Sequence, residues 1–178
     1  SKSHICGSDR IVEAYSSMNE KYDVIVNVQA DEPFVISSMI DEVTQPLLDD
    51  DTIPMSTLCC EFASKEDHEY PFNVKVVKDM HDFALYFSRS PIPYQRKEGA
   101  TRLFQHIGIY AYQGWFLEKF PDEPSKLEIN ESLEQLRVLE YGYKIKVVET
   151  QANYKKIAVN TPEDLKKARV VMEQLNSS

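Results

Sequence analysis

The segment Val24-Ile25-Val26-Asn27-Val28 constrains the fold of this sequence more than any other stretch. Four of its five residues are apolar and β-branched. Such a run predicts a strand buried on both faces, as in a parallel sheet covered by helices. Apolar residues at helical spacing precede it at 9–20 and follow it from Ser37, so helix and strand patterns alternate. The alternation predicts an α/β fold.

Five further segments are rich in β-forming residues and predict strands at 55–60, 74–77, 83–87, 104–112 and 144–150. The polar turn between the second and third of these favours a hairpin. The last helix is expected to begin at Thr161-Pro162-Glu163-Asp164, where a cap, a proline and acidic residues meet the helix N-terminus. We therefore expect one domain over residues 1–178, with a mixed, mostly parallel sheet and an antiparallel insertion.

Composition and charge narrow the class of protein. With 42% hydrophobic and 28% charged residues, the 178-residue chain is expected to be a soluble globular protein. Its net charge of −9 argues against nucleic acid as a partner, because such binding needs a basic face. No stretch approaches the ~20 apolar residues of a membrane span. The three cysteines include the adjacent pair Cys59 and Cys60, which indicates neither a disulfide framework nor a zinc site and favours a cytoplasmic location.

Carboxylates follow the first predicted strand directly, at Asp31 and Glu32. In open α/β sheets, ligands bind beyond the carboxyl ends of the strands. Asp31 is therefore a candidate ligand for Mg²⁺, which prefers oxygen donors and often shares them with substrate phosphates. The alternative is a turn or a helix cap that uses the Asp31 side chain.

Arg89 follows the strand predicted at 83–87, at a point where the chain must turn. A guanidinium there is suited to clamp a carboxylate or phosphate through paired hydrogen bonds. The alternative for Arg89 is a surface salt bridge.

Two more pairs of polar residues are candidates for binding. His106 and Tyr110 share one face of the strand at 104–112 by alternation, with Gly108 leaving room between them. The alternative there is a hydrogen-bonded core histidine beside a packed tyrosine. Glu134 and Gln135 lie on a helix anchored by leucines and are suited to grip sugar hydroxyls, whereas the alternative is a solvated helix face.

Position 160 ends the last strand pattern, where a carboxylate would be a natural second metal ligand, but the residue is Asn160. The sequence contains no glycine-rich phosphate loop. It also offers no convincing Ser-His-Asp or Cys-His arrangement for nucleophilic catalysis.

Seven segments, taken in chain order, resemble the 3-deoxy-manno-octulosonate cytidylyltransferases, or CMP-Kdo synthetases (Kdo is 3-deoxy-manno-octulosonate). Each segment is weak alone, whereas their common order over nearly the whole chain makes the resemblance specific. The segments are His4…Gly7-Ser8-Asp9-Arg10, Asn27-Val28-Gln29-Ala30-Asp31-Glu32-Pro33, Val74-Lys75-Val76-Val77, Ala84-Leu85-Tyr86-Phe87-Ser88-Arg89-Ser90-Pro91-Ile92-Pro93, His106-Ile107-Gly108-Ile109-Tyr110, Leu133-Glu134-Gln135-Leu136-Arg137 and Thr161-Pro162-Glu163-Asp164-Leu165.

The resemblance implies a Rossmann-like nucleotide-diphospho-sugar transferase fold and a cytoplasmic, Mg²⁺-dependent homodimer. Such enzymes convert CTP and Kdo to CMP-Kdo and pyrophosphate for lipopolysaccharide biosynthesis. Asp31 would bind Mg²⁺ and, with Arg89, serve catalysis, while Gly7-Ser8-Asp9-Arg10 would lie beside the nucleotide. Matched by motif, the residues of the Kdo pocket would be Gln29, Arg89, His106, Tyr110, Glu134 and Gln135.

Two departures from the family pattern bear on activity. The family opens with a strand and a loop that grips the CTP triphosphate, so the resemblance implies a chain truncated at its N-terminus and weak or inactive alone. Asn160 stands where the family has an aspartate metal ligand, and a neutral amide binds Mg²⁺ less well. Two other hypotheses stay open: an enzyme that activates a different acid sugar, such as a sialic acid, and a degenerate, non-catalytic chain that dimerises or binds a sugar acid.

Overall fold

The computed structural model describes residues 7–97, 99–152, 159 and 161–176. Helices and strands alternate from α1 to β3, after which β3, β4 and β5 follow one another directly, as do α4, α5 and α6. The helices are α1 (Gly7–Ser16), α2 (Ser37–Asp49), α3 (Lys65–Glu69), α4 (Gly114–Leu117), α5 (Lys126–Glu131), α6 (Gln135–Glu140) and α7 (Pro162–Asn176). The strands are β1 (Val24–Val28), β2 (Met55–Glu61), β3 (Lys75–Lys78), β4 (Ala84–Ser88), β5 (Phe104–Gln113) and β6 (Ile145–Glu149).

Strand β5 is the centre of the sheet. One edge of β5 pairs with β2 along nearly its whole length, and β6 follows β2 on the far side. The other edge is shared by two shorter strands: β1 lies beside the C-terminal half of β5, and β3 lies beside its first two residues. The hairpin of β3 and β4, expected from the sequence, is confirmed and ends the sheet on that side.

The α/β class is confirmed, but the expectation of a mostly parallel sheet is wrong. Among the strand pairings of the described residues, β2 with β6 is parallel and the other four are antiparallel. The reason is the position of β5, which runs against β1, β2 and β3. β2 is therefore separated by β5 from β1 and β3, which run in the same direction, and among the described strands only β2 and β6 form a parallel pair.

The expectation that β1 is buried on both faces is also wrong. Val28 is 43% exposed, and Val24, Ile25 and Val26 are only half-buried. Within the described residues β1 has a strand partner on one edge only, which is β5. Its β-branched composition therefore identified a strand correctly but did not determine the burial of that strand.

The apolar side chains form a core on each side of the sheet. One core contains the buried face of α2, and the other contains the aromatic residues of β5 and the apolar residues of α6. Along β2 the side chains alternate between the two cores, as strand geometry requires: Leu58 and Cys60 serve the first, and Cys59 serves the second. Cys59 and Cys60 are thus buried free thiols, one in each core.

Local signals explain where several helices begin and end. Thr161 and Asp164 form the expected reciprocal cap of α7, with Asp164 N donating to Thr161 Oγ1 at 3.2 Å. Gly142, at φ +84°, follows α6 and ends it. Helix α5 was not expected, although Ser125 and Glu128 form a capping box at its start. At six residues it is too short to show a helical period. None of the helices in the described part of the chain has the length and hydrophobicity of a membrane span.

A fully buried arginine joins three helices. Arg137 of α6 is 0% exposed, and its Nε and Nη2 donate to the two carboxylate oxygens of Glu128 on α5, both at 2.7 Å. Its Nη1 donates to Asp9 on α1 at 2.7 Å and to the carbonyl of Pro121 at 3.1 Å. Because Glu128 is itself only 6% exposed, the arginine is required to compensate a buried negative charge.

We expect Arg137→Met to lower the free energy of unfolding by about 3–5 kcal/mol, because it leaves the buried Glu128 carboxylate without its arginine partner. Urea denaturation followed by circular dichroism measures this change. Arg102→Met is the matched control, since Arg102 also bonds two carboxylates, those of Glu61 and Glu149, but at the surface. Its loss should be much smaller, because surface ion pairs exchange with water and contribute little to stability. Equal losses in the two variants would show that burial of the ion cluster is not what stabilises this part of the fold.

Candidate functional site

Strands β1 and β3 pair with the same edge of β5 but leave a gap between them. A cavity lies at this gap. Strand β1 ends opposite Ile109, and β3 begins opposite Gln105. Between them the Gly108 N–H donates to the Glu32 side chain at 3.4 Å instead of to a strand. The cavity has a volume of about 480 Å³, a size typical of small-molecule sites.

The cavity brings together side chains that are far apart in the sequence. Every residue that the resemblance assigns to Kdo or that was expected to bind metal, with the exception of Asn160, is among those that line it: Gln29, Asp31, Arg89, His106, Tyr110, Glu134 and Gln135. The helix-face alternative for Glu134 and Gln135 is therefore wrong, since Gln135 is 2% exposed. Asn160 lies outside the described residues, although its neighbour Val159 donates its N–H to the Asp31 carbonyl at 2.8 Å.

The segment expected beside the nucleotide does not line this cavity. It forms the first turn of α1 and adjoins the cavity through Glu134, whose Oε2 accepts from Ser8 N at 2.8 Å. Gly7 packs against the same carboxylate, so a Cβ at this position would lie 3.1 Å from Glu134 Oε2. Asp9 bonds Arg137, and Arg10 is exposed.

Arg89 carries a positive charge that no described carboxylate neutralises directly. Its guanidinium donates to three backbone carbonyls: Nε to Glu131 at 2.8 Å, Nη2 to Ser132 at 3.2 Å and Nη1 to Pro71 at 3.5 Å. It forms no salt bridge with a side chain in the described part of the protein, so the surface salt-bridge alternative is wrong. Two of the five N–H groups of an arginine remain to bind a ligand.

The backbone around Arg89 is held by two polar side chains, the half-buried Glu131 and the fully buried Lys75. Glu131 accepts from Ser88 Oγ at 2.7 Å and from Arg89 N at 3.0 Å. Lys75, which is 0% exposed, donates its Nζ to the carbonyls of Arg89 and Tyr70, both at 2.8 Å. Burial, and secondarily the charge of Arg89, lowers the pKa of Lys75, while Glu131 opposes that shift. The backbone that carries the Arg89 guanidinium is therefore held in place by these hydrogen bonds.

His106 is buried yet lines the cavity, so the two interpretations of this residue are compatible. It is 8% exposed and packs edge-on against Phe87, with ring centroids 5.0 Å apart. Its Nε2 lies 2.9 Å from Thr57 Oγ1. Burial lowers the pKa of His106 to about 3, so the imidazole is neutral at physiological pH.

Tyr110, Gln135, Gln29 and Glu134 supply hydrogen-bonding groups on the cavity wall. The Tyr110 hydroxyl donates to Gln135 Oε1 at 3.2 Å, and burial raises its pKa well above the usual value, so it keeps its proton. Gln29 Nε2 donates to Glu134 Oε1 at 3.0 Å. In contrast, Gln135 Nε2 is buried without a hydrogen-bond partner among the described residues. A buried donor of this kind is costly unless a ligand satisfies it.

Asp31 has the properties of a single carboxylate ligand for Mg²⁺. It lines the cavity, is half-buried, and its carboxylate accepts no hydrogen bond from the described residues. The described residues contain no cluster of three or more His, Cys, Asp or Glu side chains able to hold a metal ion. Mg²⁺ often needs only one or two protein carboxylates, because water and substrate phosphates complete its shell. The donor set present therefore fits this ion.

Two residues that support the site were not identified from the sequence. Thr57 was expected only as part of a strand, and Glu131 lay in a segment with no expected structure. Both act on partners that are distant in sequence, 49 residues away for Thr57 and His106, and 42 for Glu131 and Arg89. The only local signal for Thr57 is a hydroxyl in an otherwise largely apolar strand.

The burial of His106 makes the fold sensitive to acid. In the unfolded chain the imidazole takes up a proton as the pH falls through about 6.5, whereas in the native protein its pKa is about 3. Between these values the unfolded state binds more protons, so stability falls as the pH is lowered through that window.

We therefore expect His106 to cost the wild-type protein about 2 kcal/mol of stability between pH 7 and pH 5. Urea denaturation at the two pH values should show this loss, and His106→Asn should lose about 2 kcal/mol less than the wild type. His81→Asn, on an exposed turn, is the control and should behave like the wild type. The same pH dependence in His106→Asn and the wild type would contradict a buried neutral imidazole.

Comparison with known proteins gives the family of this chain. Residues 1–157 match the family model for cytidylyltransferases. The chain is 44% identical to the 3-deoxy-manno-octulosonate cytidylyltransferase of Acaryochloris marina over 96% of this chain and 69% of that protein. It is 46% identical to the enzyme of the same name from Fusobacterium nucleatum, over 93% of this chain and 66% of that protein.

The fold leads to the same family. A solved structure of CMP:2-keto-3-deoxy-manno-octonic acid synthetase, complexed with CTP, superposes with a TM-score of 0.86 at 39% identity, covering 97% of this chain and 70% of the other. The chain thus spans about two thirds of the length of the relatives it matches. From sequence and fold together, this chain belongs to the 3-deoxy-manno-octulosonate cytidylyltransferase family.

Proposed function

We propose that this protein is a CMP-Kdo synthetase and that the cavity around Arg89 binds the sugar acid. The observation that carries the proposal is the Arg89 guanidinium, which lines the cavity without a salt-bridge partner among the described side chains. Because the chain has a net charge of −9, the Arg89 guanidinium is a localised positive charge in an acidic protein and attracts a small anion to the cavity. A carboxylate suits it best, because a guanidinium can bind two carboxylate oxygens at once.

The remaining groups of the cavity favour a polyhydroxylated ligand over a simple acid. The buried Gln135 amide has a donor without a partner in the described part of the protein, and the neutral His106 adds a polar nitrogen. Gln29, Tyr110 and Glu134 contribute further hydrogen-bonding atoms. An eight-carbon sugar acid has both the carboxylate for Arg89 and the hydroxyls for the other residues.

The proposed reaction joins two anions. The anomeric hydroxyl oxygen of Kdo bonds to the α-phosphorus of CTP, the proton of that hydroxyl passes to water, and the bond from the phosphorus to pyrophosphate breaks. Arg89 offsets the carboxylate charge and holds the sugar, so that the hydroxyl approaches in line. Mg²⁺, held by Asp31 and by the amide of Asn160, would neutralise the phosphate charge of CTP. The segment Gly7-Ser8-Asp9-Arg10 is proposed to lie beside the nucleotide, next to Glu134.

The second candidate is a non-catalytic protein that binds a sugar acid, and Asn160 is the feature that favours it. An amide oxygen is a weaker Mg²⁺ ligand than the aspartate expected there from the resemblance. Both candidates need Kdo to bind in the cavity. They differ in whether CMP-Kdo and pyrophosphate form when CTP and Mg²⁺ are added.

The decisive measurement is Kdo binding by isothermal titration calorimetry. We expect Arg89→Met to weaken Kdo binding at least about tenfold, because it removes a charge-assisted hydrogen bond. Arg89→Lys should recover part of the affinity, since it restores the charge without the planar fork. Arg102→Met, which removes a surface arginine outside the cavity, should bind Kdo like the wild type.

Wild-type affinity in Arg89→Met would refute the assignment of the cavity. Turnover is measured as pyrophosphate released from CTP in the presence of Mg²⁺ and Kdo, with N-acetylneuraminate as the competing acid sugar. Release with Kdo alone supports the synthetase, and release with N-acetylneuraminate alone assigns a different acid sugar. Kdo binding without any release supports the non-catalytic candidate.

We also propose that the protein acts in the cytoplasm as a homodimer, as the resemblance implies. Sedimentation velocity at micromolar concentration tests the oligomeric state, and a monomer under those conditions would contradict the proposal.

A further inference from the structure

A buried threonine contacts the His106 ring that lines the cavity. Thr57 lies on β2 and is 0% exposed. Its Oγ1 is 2.9 Å from His106 Nε2, 2.8 Å from the Ile109 carbonyl oxygen and 3.3 Å from the Ile107 carbonyl oxygen. The two carbonyls can only accept hydrogen bonds.

One arrangement of protons satisfies the two shorter contacts, those with Ile109 and His106. Two oxygens 2.8 Å apart attract each other only when a proton lies between them, so the Thr57 hydroxyl donates to Ile109. That hydroxyl has one proton, so the contact with His106 is a hydrogen bond donated by Nε2–H to Thr57 Oγ1. The neutral ring then has a lone pair on Nδ1.

The geometry comes from a bulge in β5. Thr57 pairs with Tyr110, but the next residue, Leu58, pairs with Ile107, so Gly108 and Ile109 have no partner residue on β2. The carbonyls of Ile107 and Ile109 both lie within reach of the same threonine oxygen. Bulges re-aim side chains and occur beside active sites more often than elsewhere in sheets. Here the bulge sets the position of the Thr57 side chain, and the hydrogen bond with Thr57 sets the orientation of the His106 ring.

We propose that Thr57 is a positioning residue that holds His106 with its proton on Nε2, so that Nδ1 accepts a hydrogen bond from a hydroxyl of the bound sugar. This inference rests on the proposed function and deepens it. In the described part of the chain Nδ1 has no hydrogen-bond partner, while the ring belongs to the cavity wall. The opposite tautomer would present an N–H, which favours the oxygen of a carboxylate or phosphate. The two residues therefore recognise different groups of the sugar acid: Arg89 binds the carboxylate, and His106 selects a hydroxyl.

The tautomer can be measured directly in the free protein. Protein labelled with ¹⁵N-histidine is examined at pH 7 by NMR correlation of the ring nitrogens with the ring carbon-bound protons, and the His106→Asn variant assigns the signals. We expect His106 to be neutral with its proton on Nε2. A proton on Nδ1, or the mixed population of a free histidine, overturns the proposal without reference to any ligand.

Substitution of Thr57 tests the cause. Thr57→Val removes the hydroxyl at nearly constant shape and should convert His106 to a mixture of tautomers, whereas Thr57→Ser should preserve the single form. His68 is an internal control, because its Nε2 lies 3.1 Å from the Ile92 carbonyl, independently of Thr57. An unchanged His106 spectrum in folded Thr57→Val refutes the positioning role. If Thr57→Val does not fold, Thr57→Ala and Thr57→Ser provide the same comparison.

Addition of Kdo tests the recognition step. Binding should shift the Nδ1 resonance of His106 toward that of a hydrogen-bonded acceptor and leave Nε2 nearly unchanged. Thr57→Val should weaken Kdo binding severalfold, and Thr57→Ser should restore it. Kdo that binds in the cavity without moving Nδ1 refutes the selection of a hydroxyl. A protein that does not bind Kdo contradicts the proposed function, while the tautomer measurement still decides the role of Thr57.

Discussion

The geometry of the cavity depends on the pairing of β5, whose one edge is divided between two strands. Strand β1 covers the C-terminal half of that edge and β3 covers its beginning. The interval between them admits the side chains of Gln29 and Glu32, which follow β1, to the backbone of β5 at Gly108. Gly108 lies at this interval, where a Cβ would approach Gln29 Oε1 to 3.0 Å. A continuous partner strand would have filled the space that the cavity occupies.

The electrostatics of the site follow from which charges are paired inside the protein. Arg137 is fully buried and bonded to two carboxylates, so its charge serves the fold. Arg89 is bonded to carbonyl oxygens, which orient a guanidinium without cancelling its charge. Arg137 therefore stabilises the fold, whereas the guanidinium of Arg89 is available to a ligand. Burial has a separate effect on His106, whose lowered pKa keeps the imidazole neutral. Of the two side chains, only Arg89 therefore offers a positive charge to the cavity.

The sequence predicted the contents of the cavity better than the sheet that forms it. Alternation along β5 placed His106 and Tyr110 on one face, and this was sufficient because side-chain direction in a strand is a local property. The order of the strands is a non-local property, so the apolar run of β1 could not reveal that β5 would lie between strands of the same direction. The family resemblance, and not the residue pattern, selected Glu134 and Gln135, since a helix face alone does not indicate what it contacts.

The supporting residues were the hardest to find from sequence. Thr57 and Glu131 act through hydrogen bonds to residues that only the folded chain brings near. The capping box of α5 was visible as Ser125 and Glu128, but the helix is too short for its period to stand out. Glu128 then has a second role as the partner of Arg137. When a residue both caps its own helix and bonds a residue that is distant in the sequence, the sequence pattern indicates only the cap.

Helix α6 is only six residues long, yet it carries both Gln135 at the cavity and Arg137 in the buried ion cluster. A helix of this length has little stability of its own, so its position is imposed by what its side chains contact. The anchoring of Arg137 to α1 and α5 therefore also determines where the Gln135 amide lies relative to the ligand. If the cavity binds a sugar acid as proposed, a small loosening of the three helices would displace the Gln135 amide and weaken discrimination among related sugars well before the protein unfolded.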